Sequence, residues 1–333
     1  MDEKLPLHIV LETGSMAGGV RVVGEIANRL ANRGWTVDIW SVNQKETMTS
    51  WFSLSPKVKW YSFLRKGTTE DYDQLASVLE KQPGWKMATF WRTAYPVTIA
   101  CEKQGKGLYL CQDVETSYTS QPIAVELVLK SYTQPLRKIT TSRWVEKQLG
   151  CEYIGIGVDN FYKVLGSSTR NNQPLAIERR QALKGWGDLM EVNRYLSVAG
   201  KHITTFGQDS GIKTFVNFNH IVRPTDRDVR DLYNKYGCFV STSKHEGFGL
   251  PLVEAMACGC PVVTTNADGN MEFCEEGINC LVSKNNLDMA EKIMGLLADK
   301  TIANKLSKAA LEVPRRYQWK DVIQRLEQIL MAD

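Results

Sequence analysis

Two carboxylates, Glu246 and Glu254, lie eight residues apart on either side of a glycine-rich turn. The preceding apolar run Cys238–Ser241 has the composition of a buried strand, and Pro251 fits the first turn of a helix. Backbone N–H groups at such a strand-to-helix turn favour a phosphate or a sugar hydroxyl. Ionised carboxylates only accept hydrogen bonds, so this pair fits a diphosphate with hydroxyls on both sides. The spacing predicts a nucleotide-sugar site, although Glu254 alone would also serve as a charge partner for the helix dipole.

The segment Ser241–Cys280 resembles the retaining glycosyltransferases of family 4, whose hallmark is two glutamates with this spacing. Within the segment, the similar runs are Glu246–Glu254, Ala255–Val263 and Gly269–Glu272. The resemblance spans most of the chain, with further similarity at Gly18–Arg21, at Gly157–Asp159 and in the final helix from Trp319.

The resemblance implies how the second domain would hold a donor. Glu254 is expected to accept hydrogen bonds from the ribose hydroxyls, and Glu246 is expected to contact the donor sugar. The backbone near Ile221 is expected to contact the base. Sugar hydroxyls or phosphate are expected to bind the backbone N–H groups of the turn residues Gly247, Phe248, Gly249 and Leu250.

The diphosphate leaving group gains negative charge as the glycosidic bond breaks, so cations or a metal must lie beside it. By the resemblance, Arg179 and Lys184 are the catalytic cations, with Arg180 as a rival and a solvated charged turn as the alternative interpretation. The bare backbone of Gly18 and Gly19 is expected to approach the diphosphate, unless it forms only a tight turn. The first domain has no Asp-any-Asp motif in a strand-end loop, so we predict no required metal or cofactor. The resemblance also implies retention, by departure and attack on the same face of the sugar.

The acceptor side differs from many of the resembling enzymes, which carry a histidine where this chain has Gln112 and Asp113. This variant resembles a subset that builds rhamnose-containing polysaccharides. Gln112 cannot act as a base and is expected to hydrogen-bond the donor, while Asp113 orients the acceptor and Arg92 faces the same cleft. Three acceptors stay open: a surface polysaccharide or lipid-linked glycan, as the family implies, a modified base in DNA, or a small metabolite.

Two other functional classes would also use a nucleotide sugar. A sugar-nucleotide epimerase that shares the fold of these glycosyltransferases would carry additional acid and base carboxylates in the first domain. The sequence shows no such set. A non-catalytic binder would keep Glu254 but lose Glu246 or the phosphate cations, and this chain has all of them. We therefore predict an enzyme that transfers a hexose.

Composition agrees with an enzyme of two domains. The chain has 333 residues, more than one hydrophobic core usually organises, and its formal net charge of +4 requires neither nucleic acid nor an acidic partner. No apolar run approaches the roughly 20 residues that span a bilayer, and no secretion signal is visible. The eight cysteines are scattered, which favours reduced thiols over a metal site. We expect a cytoplasmic protein, with peripheral contact at the inner membrane face as an alternative.

Short apolar runs alternate with amphipathic stretches, which indicates parallel β-sheets covered by helices. The α/β architecture implied by the resemblance is GT-B, in which two doubly wound Rossmann-like domains face a central cleft. We predict an acceptor-side domain at 1–162, a nucleotide-sugar-binding domain at 163–316 and a helix at 317–333 that crosses back to the first domain. Among the short apolar runs that we predict to be strands are Met87–Trp91, Leu196–Ala199 and Thr214–Phe218.

Overall fold

Each half of the chain is built on its own parallel β-sheet. The computed structural model describes residues 4–43, 47–62, 69–103, 105–166, 169–208 and 219–332. The chain divides into two units, Met1–Ile156 with Lys320–Asp333, and Gly157–Trp319. The division after Ile156 comes shortly before residue 162, where we placed the end of the first domain. Among the described residues, no helix has both the length and the apolar composition needed to cross a membrane.

The first unit contains a seven-stranded sheet in which every pairing is parallel. Its strands are β1 (Leu7–Thr13), β2 (Val37–Asn43), β3 (Val58–Ser62), β4 (Trp85–Ala88), β5 (Gly107–Cys111), β6 (Arg137–Thr140) and β7 (Glu152–Tyr153). The order across the sheet is β3-β2-β1-β4-β5-β6-β7. The chain therefore reverses its direction of growth between β1 and β4, and open α/β sheets bind ligands outside the carboxyl ends of strands at such a point.

The helices of the first unit cover this sheet with amphipathic faces. They are α1 (Gly18–Asn32), α2 (Thr69–Glu80), α3 (Trp91–Cys101), α4 (Pro122–Ser131) and α5 (Arg143–Leu149). In α1, Val23, Ile26, Ala27 and Leu30 recur at helical spacing and are buried. The buried apolar residues of α2, α3 and α5 join β4 and β5 in one core cluster. The first unit is thus a doubly wound, Rossmann-like domain.

The second unit contains a six-stranded sheet, again with parallel pairings only. Its strands are β8 (Pro174–Ile177), β9 (Thr204–Gly207), β10 (Asn219–Val222), β11 (Cys238–Ser241), β12 (Val262–Thr265) and β13 (Leu281–Ser283). Its helices are α6 (Trp186–Val198), α7 (Asp226–Lys235), α8 (Leu250–Ala257), α9 (Asn286–Ala298) and α10 (Lys300–Ala310). The strand order β10-β9-β8-β11-β12-β13 places the reversal between β8 and β11. The carboxyl ends of these two strands should therefore frame a ligand site.

Two of the predicted strands are corrected by the structure. Leu196–Ala199 lies at the end of α6 because Leu189, Val192 and Leu196 follow a helical period and are buried together. The strand predicted at Met87–Trp91 ends at Ala88, and Trp91 instead begins α3. The predicted strand Thr214–Phe218 lies outside the described residues.

The last helix, α11 (Trp319–Met331), packs on the first unit from Lys320 onward. The Trp85 Nε1 group donates a hydrogen bond to the Leu330 carbonyl oxygen at 3.0 Å. The Trp35 Nε1 group donates to the Glu327 carboxylate at 2.9 Å. These two indole contacts tie the end of the chain to strands and loops near its beginning.

Candidate functional site

Glu246 lies between two cations at the reversal point of the second sheet. Its carboxylate is 2.9 Å from the Arg179 Nη1 atom and 2.9 Å from the Lys184 Nζ atom. Arg179 and Lys184 follow β8, whereas Glu246 follows β11, the neighbouring strand. The Ser243 hydroxyl donates a third hydrogen bond to Glu246 at 2.8 Å. The sheet order thus brings Arg179 and Lys184 to Glu246, which lies 67 and 62 residues later in the sequence.

Arg179 and Arg180 differ in their surroundings. The Arg180 side chain is 39% exposed and pairs with Glu178 at 3.1 Å. The Lys184 side chain is only 9% exposed, and it donates both to Glu246 and to the main-chain oxygen of His245 at 2.9 Å. Arg179 and Lys184 are therefore the cations that the fold holds at Glu246, and Arg180 is a peripheral neighbour.

Gly185 allows the segment after Lys184 to approach the end of β11. It has a left-handed backbone with φ of 64°, and a Cβ atom here would lie 1.9 Å from the Thr242 carbonyl oxygen. The Thr242 hydroxyl donates back to the Gly185 carbonyl oxygen at 2.9 Å. No side chain fits between the two segments, so glycine is required at this position.

Gly185→Ala is therefore expected to lower the free energy of unfolding by about 2–3 kcal/mol, because the backbone must shift to relieve the clash. Gly187→Ala is the matched control, since a Cβ atom at Gly187 meets nothing within 4 Å and alanine favours the helix. Urea unfolding of both variants measures the difference. Equal stability of the two would contradict the close approach at Gly185.

The turn after Glu246 is held by the loop that follows β12. The Glu246 N–H donates to the Ala267 carbonyl oxygen at 3.0 Å, and the Gly269 N–H donates to the Glu246 carbonyl oxygen at 2.9 Å. A Cβ atom at Gly269 would lie 2.1 Å from the Gly247 carbonyl oxygen, so the two loops touch backbone to backbone. The loop after β12 thereby fixes the main chain that carries Glu246.

Within the turn, Gly249 has φ of 100°, and α8 begins at the next residue, Leu250. The predicted helix start with proline in its first turn is confirmed. The Phe248 side chain is buried against Phe273 and Tyr317, with ring centroids 5.0 and 4.9 Å away. Phe248 therefore anchors the turn, which leaves only its backbone for a ligand role.

Glu254 is buried in α8, near Tyr233 of α7. Burial raises the pKa of Tyr233, and the negative charge of Glu254 raises it further. Ile221 lies in β10, paired with Phe206 of β9, and is half-buried. The adjoining residues 209–218 lie outside the described part of the chain.

Two further residues complete this region: His245, which the sequence places next to the proposed chemistry, and Asp268, which sequence reasoning did not consider. The Asp268 carboxylate accepts a hydrogen bond from His245 Nδ1 at 2.7 Å. Asp268 has φ of 61° and ψ of −97°, a backbone conformation that residues other than glycine rarely adopt. His245 adjoins Glu246 in sequence, but nothing in the sequence marks Asp268 as its partner.

In the first unit, Gly18 and Gly19 form neither a loop nor a separate tight turn but the first turn of α1, and Gly19 lies beside one predicted residue. The Gln112 Nε2 group donates to the Gly19 carbonyl oxygen at 3.2 Å, and a Cβ atom at Gly19 would lie 3.1 Å from that amide. A Cβ atom at Gly18 meets nothing within 4 Å. A side chain at position 19 would therefore be crowded by Gln112, whereas a side chain at position 18 would have room.

Arg92 and Asp113 each have neighbours that the sequence did not indicate. The Arg92 guanidinium is 3.6 Å from the Glu12 carboxylate, which also accepts a hydrogen bond from the Tyr72 hydroxyl at 2.7 Å. Asp113 contacts the Tyr118 hydroxyl. Burial raises the pKa of Glu12, and Tyr72 and Arg92 partly offset that rise. Glu12 and Arg92 meet because β1 and β4 are adjacent at the reversal point of the first sheet.

Glu115 is a buried carboxylate near this edge of the first sheet. It accepts a hydrogen bond from the Trp91 N–H at 2.7 Å, and its own N–H donates to the Tyr132 hydroxyl at 2.8 Å. Burial raises the pKa of its carboxyl to about 8. Near this edge the first domain therefore carries a half-buried carboxylate, Glu12, and a buried one, Glu115. Across the described ranges, no three His, Cys, Asp or Glu side chains form a group that could hold a metal ion.

Part of the second unit is similar to a known protein family. Residues 208–313 match the family described as glycosyl transferases group 1. A sucrose synthase from Melioribacter roseus is 36% identical over 104 residues, which make up 29% of this chain and 13% of that protein. The O-antigen chain mannosyltransferase B of Escherichia coli is 31% identical over 166 residues, which make up 50% of this chain and 39% of that protein. The matched regions thus span less than half the length of these relatives.

The similarity of folds extends further than the similarity of sequences. Anabaena HepE, solved in complex with UDP and glucose, superposes with a TM-score of 0.82 at 16% identity, covering 99% of this chain and 100% of that one. Both units of the present chain are doubly wound parallel sheets. The chain therefore has the predicted GT-B fold, and its residues 208–313 are similar to the group 1 glycosyltransferases.

Proposed function

We propose that the protein transfers a sugar from a nucleotide-diphosphate sugar to a hydroxyl group, with retention of the anomeric configuration. The observation that carries the proposal is Glu246 between Arg179 and Lys184 at the reversal point of the second sheet. Cations fixed in this way neutralise the charge that develops on a departing diphosphate. Glu246 beside them contacts the donor sugar, and Glu254 binds the ribose hydroxyls. The complex of Anabaena HepE with UDP and glucose favours a uridine nucleotide as the first donor to test.

The ion pairs at Glu246 also explain how the site stays ordered before the donor binds. A buried carboxylate without a partner is strongly disfavoured, and each cation offsets part of that cost. A lysine has three N–H donors and an arginine has five, so both retain capacity for phosphate oxygens while paired. The donor would therefore enter a site whose cations are already in place.

For the acceptor, we propose a growing surface polysaccharide or a lipid-linked glycan, bound by the first domain through Asp113 and Arg92, with Gln112 reaching the donor. The partial similarity to the O-antigen chain mannosyltransferase B supports a glycan. Glycosylation of a modified DNA base is the alternative, and strong salt dependence of acceptor binding would favour it. We place the reaction in the cytoplasm, with peripheral contact at the inner membrane face as part of the same hypothesis.

A sugar-nucleotide epimerase is a second candidate, because the half-buried Glu12 and the buried Glu115, whose pKa values are both raised by burial, offer the acid and base carboxylates that such an enzyme would need. The two functions differ in their products. An epimerase would convert one nucleotide sugar into another without releasing nucleotide. A transferase without an acceptor should slowly pass the sugar to water and release the nucleoside diphosphate.

A panel of nucleotide sugars, tested without acceptor, separates these functions. We expect one donor to raise the melting temperature, by an amount equal to RT ln(1 + [L]/Kd) divided by the entropy of unfolding. The same donor should be hydrolysed slowly. The released nucleotide and the remaining sugar are measured by ion-exchange chromatography. Conversion to an epimer would establish the alternative function, and no stabilisation by any donor would contradict a nucleotide-sugar site.

Chelation of divalent metal is expected to leave donor binding and turnover unchanged within about twofold, because Arg179 and Lys184 supply the positive charge that other transferases take from a metal. The measurement is nucleotide release in excess EDTA and, separately, in added Mg²⁺. A Mg²⁺-dependent rise of tenfold or more would contradict the metal-independent mechanism.

A further inference from the structure

The strained residue Asp268 lies against the main chain of Glu246. Of the described residues other than glycine, only Arg223 and Asp268 have a positive φ. Residues in such conformations persist only where their surroundings determine them, and they concentrate at functional sites. At Asp268 the surroundings are the two backbone hydrogen bonds through which Ala267 and Gly269 grip Glu246 from both sides.

The side chain of Asp268 extends this grip to Lys184. The Asp268 carboxylate accepts from His245 Nδ1 at 2.7 Å, and the main-chain oxygen of His245 accepts from the Lys184 Nζ group at 2.9 Å. The same Nζ group donates to Glu246 at 2.9 Å. A continuous chain of hydrogen bonds therefore runs from Asp268 through His245 to Lys184 and Glu246.

The exposure of the two side chains shows which partner orients the other. The His245 side chain is 7% exposed and the Asp268 side chain is 45% exposed. A half-exposed aspartate can hydrogen-bond water, so it gains little from adopting a strained backbone. The buried imidazole, by contrast, needs an acceptor for its Nδ1 proton. Asp268 therefore serves to fix the His245 ring and, through it, the peptide before Glu246.

We propose that Asp268 is a positioning residue of the donor site, which acts through His245 to align Glu246 and Lys184 with the donor sugar and diphosphate. The inference rests on the proposed function. It predicts that loss of the Asp268 side chain slows turnover of bound donor much more than it weakens nucleotide binding, because Glu254 and Arg179 still hold the nucleotide while Lys184 and Glu246 are misaligned with the reacting bond. If Asp268 served only to shape the backbone, Asp268→Gly should keep wild-type turnover, because glycine suits this backbone better than aspartate does.

The test is Asp268→Gly, compared with Asp268→Asn and with Asp231→Asn as a control at an aspartate of similar exposure on α7. We expect Asp268→Gly to melt at or above the wild-type temperature and to bind UDP within about twofold of wild type. Its kcat for nucleotide release from the donor should fall by about 10–100-fold, because small misplacements of catalytic groups slow a reaction by that much. Asp268→Asn keeps a hydrogen-bond acceptor for His245 and should recover most of that loss.

Amide hydrogen exchange over residues 243–249 gives a readout besides activity, and it should be faster in Asp268→Gly than in wild type. Wild-type kcat in Asp268→Gly would overturn the inference, and so would a loss of turnover that is matched by weaker UDP binding or by a lower melting temperature. A wild-type protein that turns over no donor at all would instead contradict the proposed function, and the inference with it.

Discussion

Lys184→Met is expected to lower kcat/KM for the donor by about 10²–10³-fold, the range found when one preorganised electrostatic donor is removed from an active site. Lys184 is nearly buried and bonds both to Glu246 and to the His245 carbonyl oxygen. Methionine keeps the volume of the side chain but removes the charge. The measurement is nucleotide release at subsaturating donor.

Arg180→Met is the matched control for this substitution, because Arg180 belongs to the same segment but pairs with Glu178 away from Glu246. Its kcat/KM should stay within about twofold of wild type. Wild-type activity in Lys184→Met, or an equal loss in Arg180→Met, would show that Lys184 is not the phosphate cation.

Lys184→Met also leaves the buried Glu246 carboxylate with one cation, so part of its effect could come from lost stability. Breaking a buried ion pair on one side costs about 3–5 kcal/mol at most, and less where Arg179 remains as a partner. In the double variant with Glu246→Gln, both charges of the broken pair are gone. We expect the double variant to unfold closer to wild type but to remain inactive, which separates stability from chemistry.

Glu254→Ala is expected to weaken UDP binding by about one to two orders of magnitude, because each hydrogen bond to a charged group contributes about 1.5–3 kcal/mol. Titration calorimetry with UDP measures the change directly. Glu291→Ala, on the exposed face of α9, is the control and should bind UDP as wild type does. If UDP affinity is unchanged in Glu254→Ala, this glutamate is only a charge partner of its helix.

Elements with a regular pattern and a clear boundary were predictable from the sequence. The sequence predicts a helix at Asp226–Lys235, and the observed helix has the same ends, with a capping box of Thr225 and Asp228 at its start. The strand Cys238–Ser241 was also correct, since a short apolar run before a glycine-rich turn favours a buried strand. The error at Leu196–Ala199 arose because a short apolar run at the end of a helix has the same composition as a strand.

The candidate site was predictable only in part. Glu246 and Glu254 were found from their spacing around a turn, and Arg179 and Lys184 from the family resemblance. Their pairing with Glu246 depends on β8 lying next to β11, an adjacency that hydrophobic patterns do not determine. The contact between Glu12 and Arg92 likewise requires β1 beside β4.

Asp268 shows a different limit. Its role depends on a positive φ and on a hydrogen bond to a histidine on another loop. Aspartate is common in turns of every kind, so its presence after β12 indicates a turn and nothing more. Only the backbone conformation singles it out.

We propose that the chain cleaves a nucleotide sugar with retention, using the cations held at Glu246. Proton NMR of the sugar released from an α-linked donor, recorded before the anomers equilibrate, tests it most directly. We predict that the wild-type protein releases the α anomer first together with the nucleoside diphosphate, and that Lys184→Met releases neither at a comparable rate. Initial release of the β anomer, or release that does not depend on Lys184, would contradict the account.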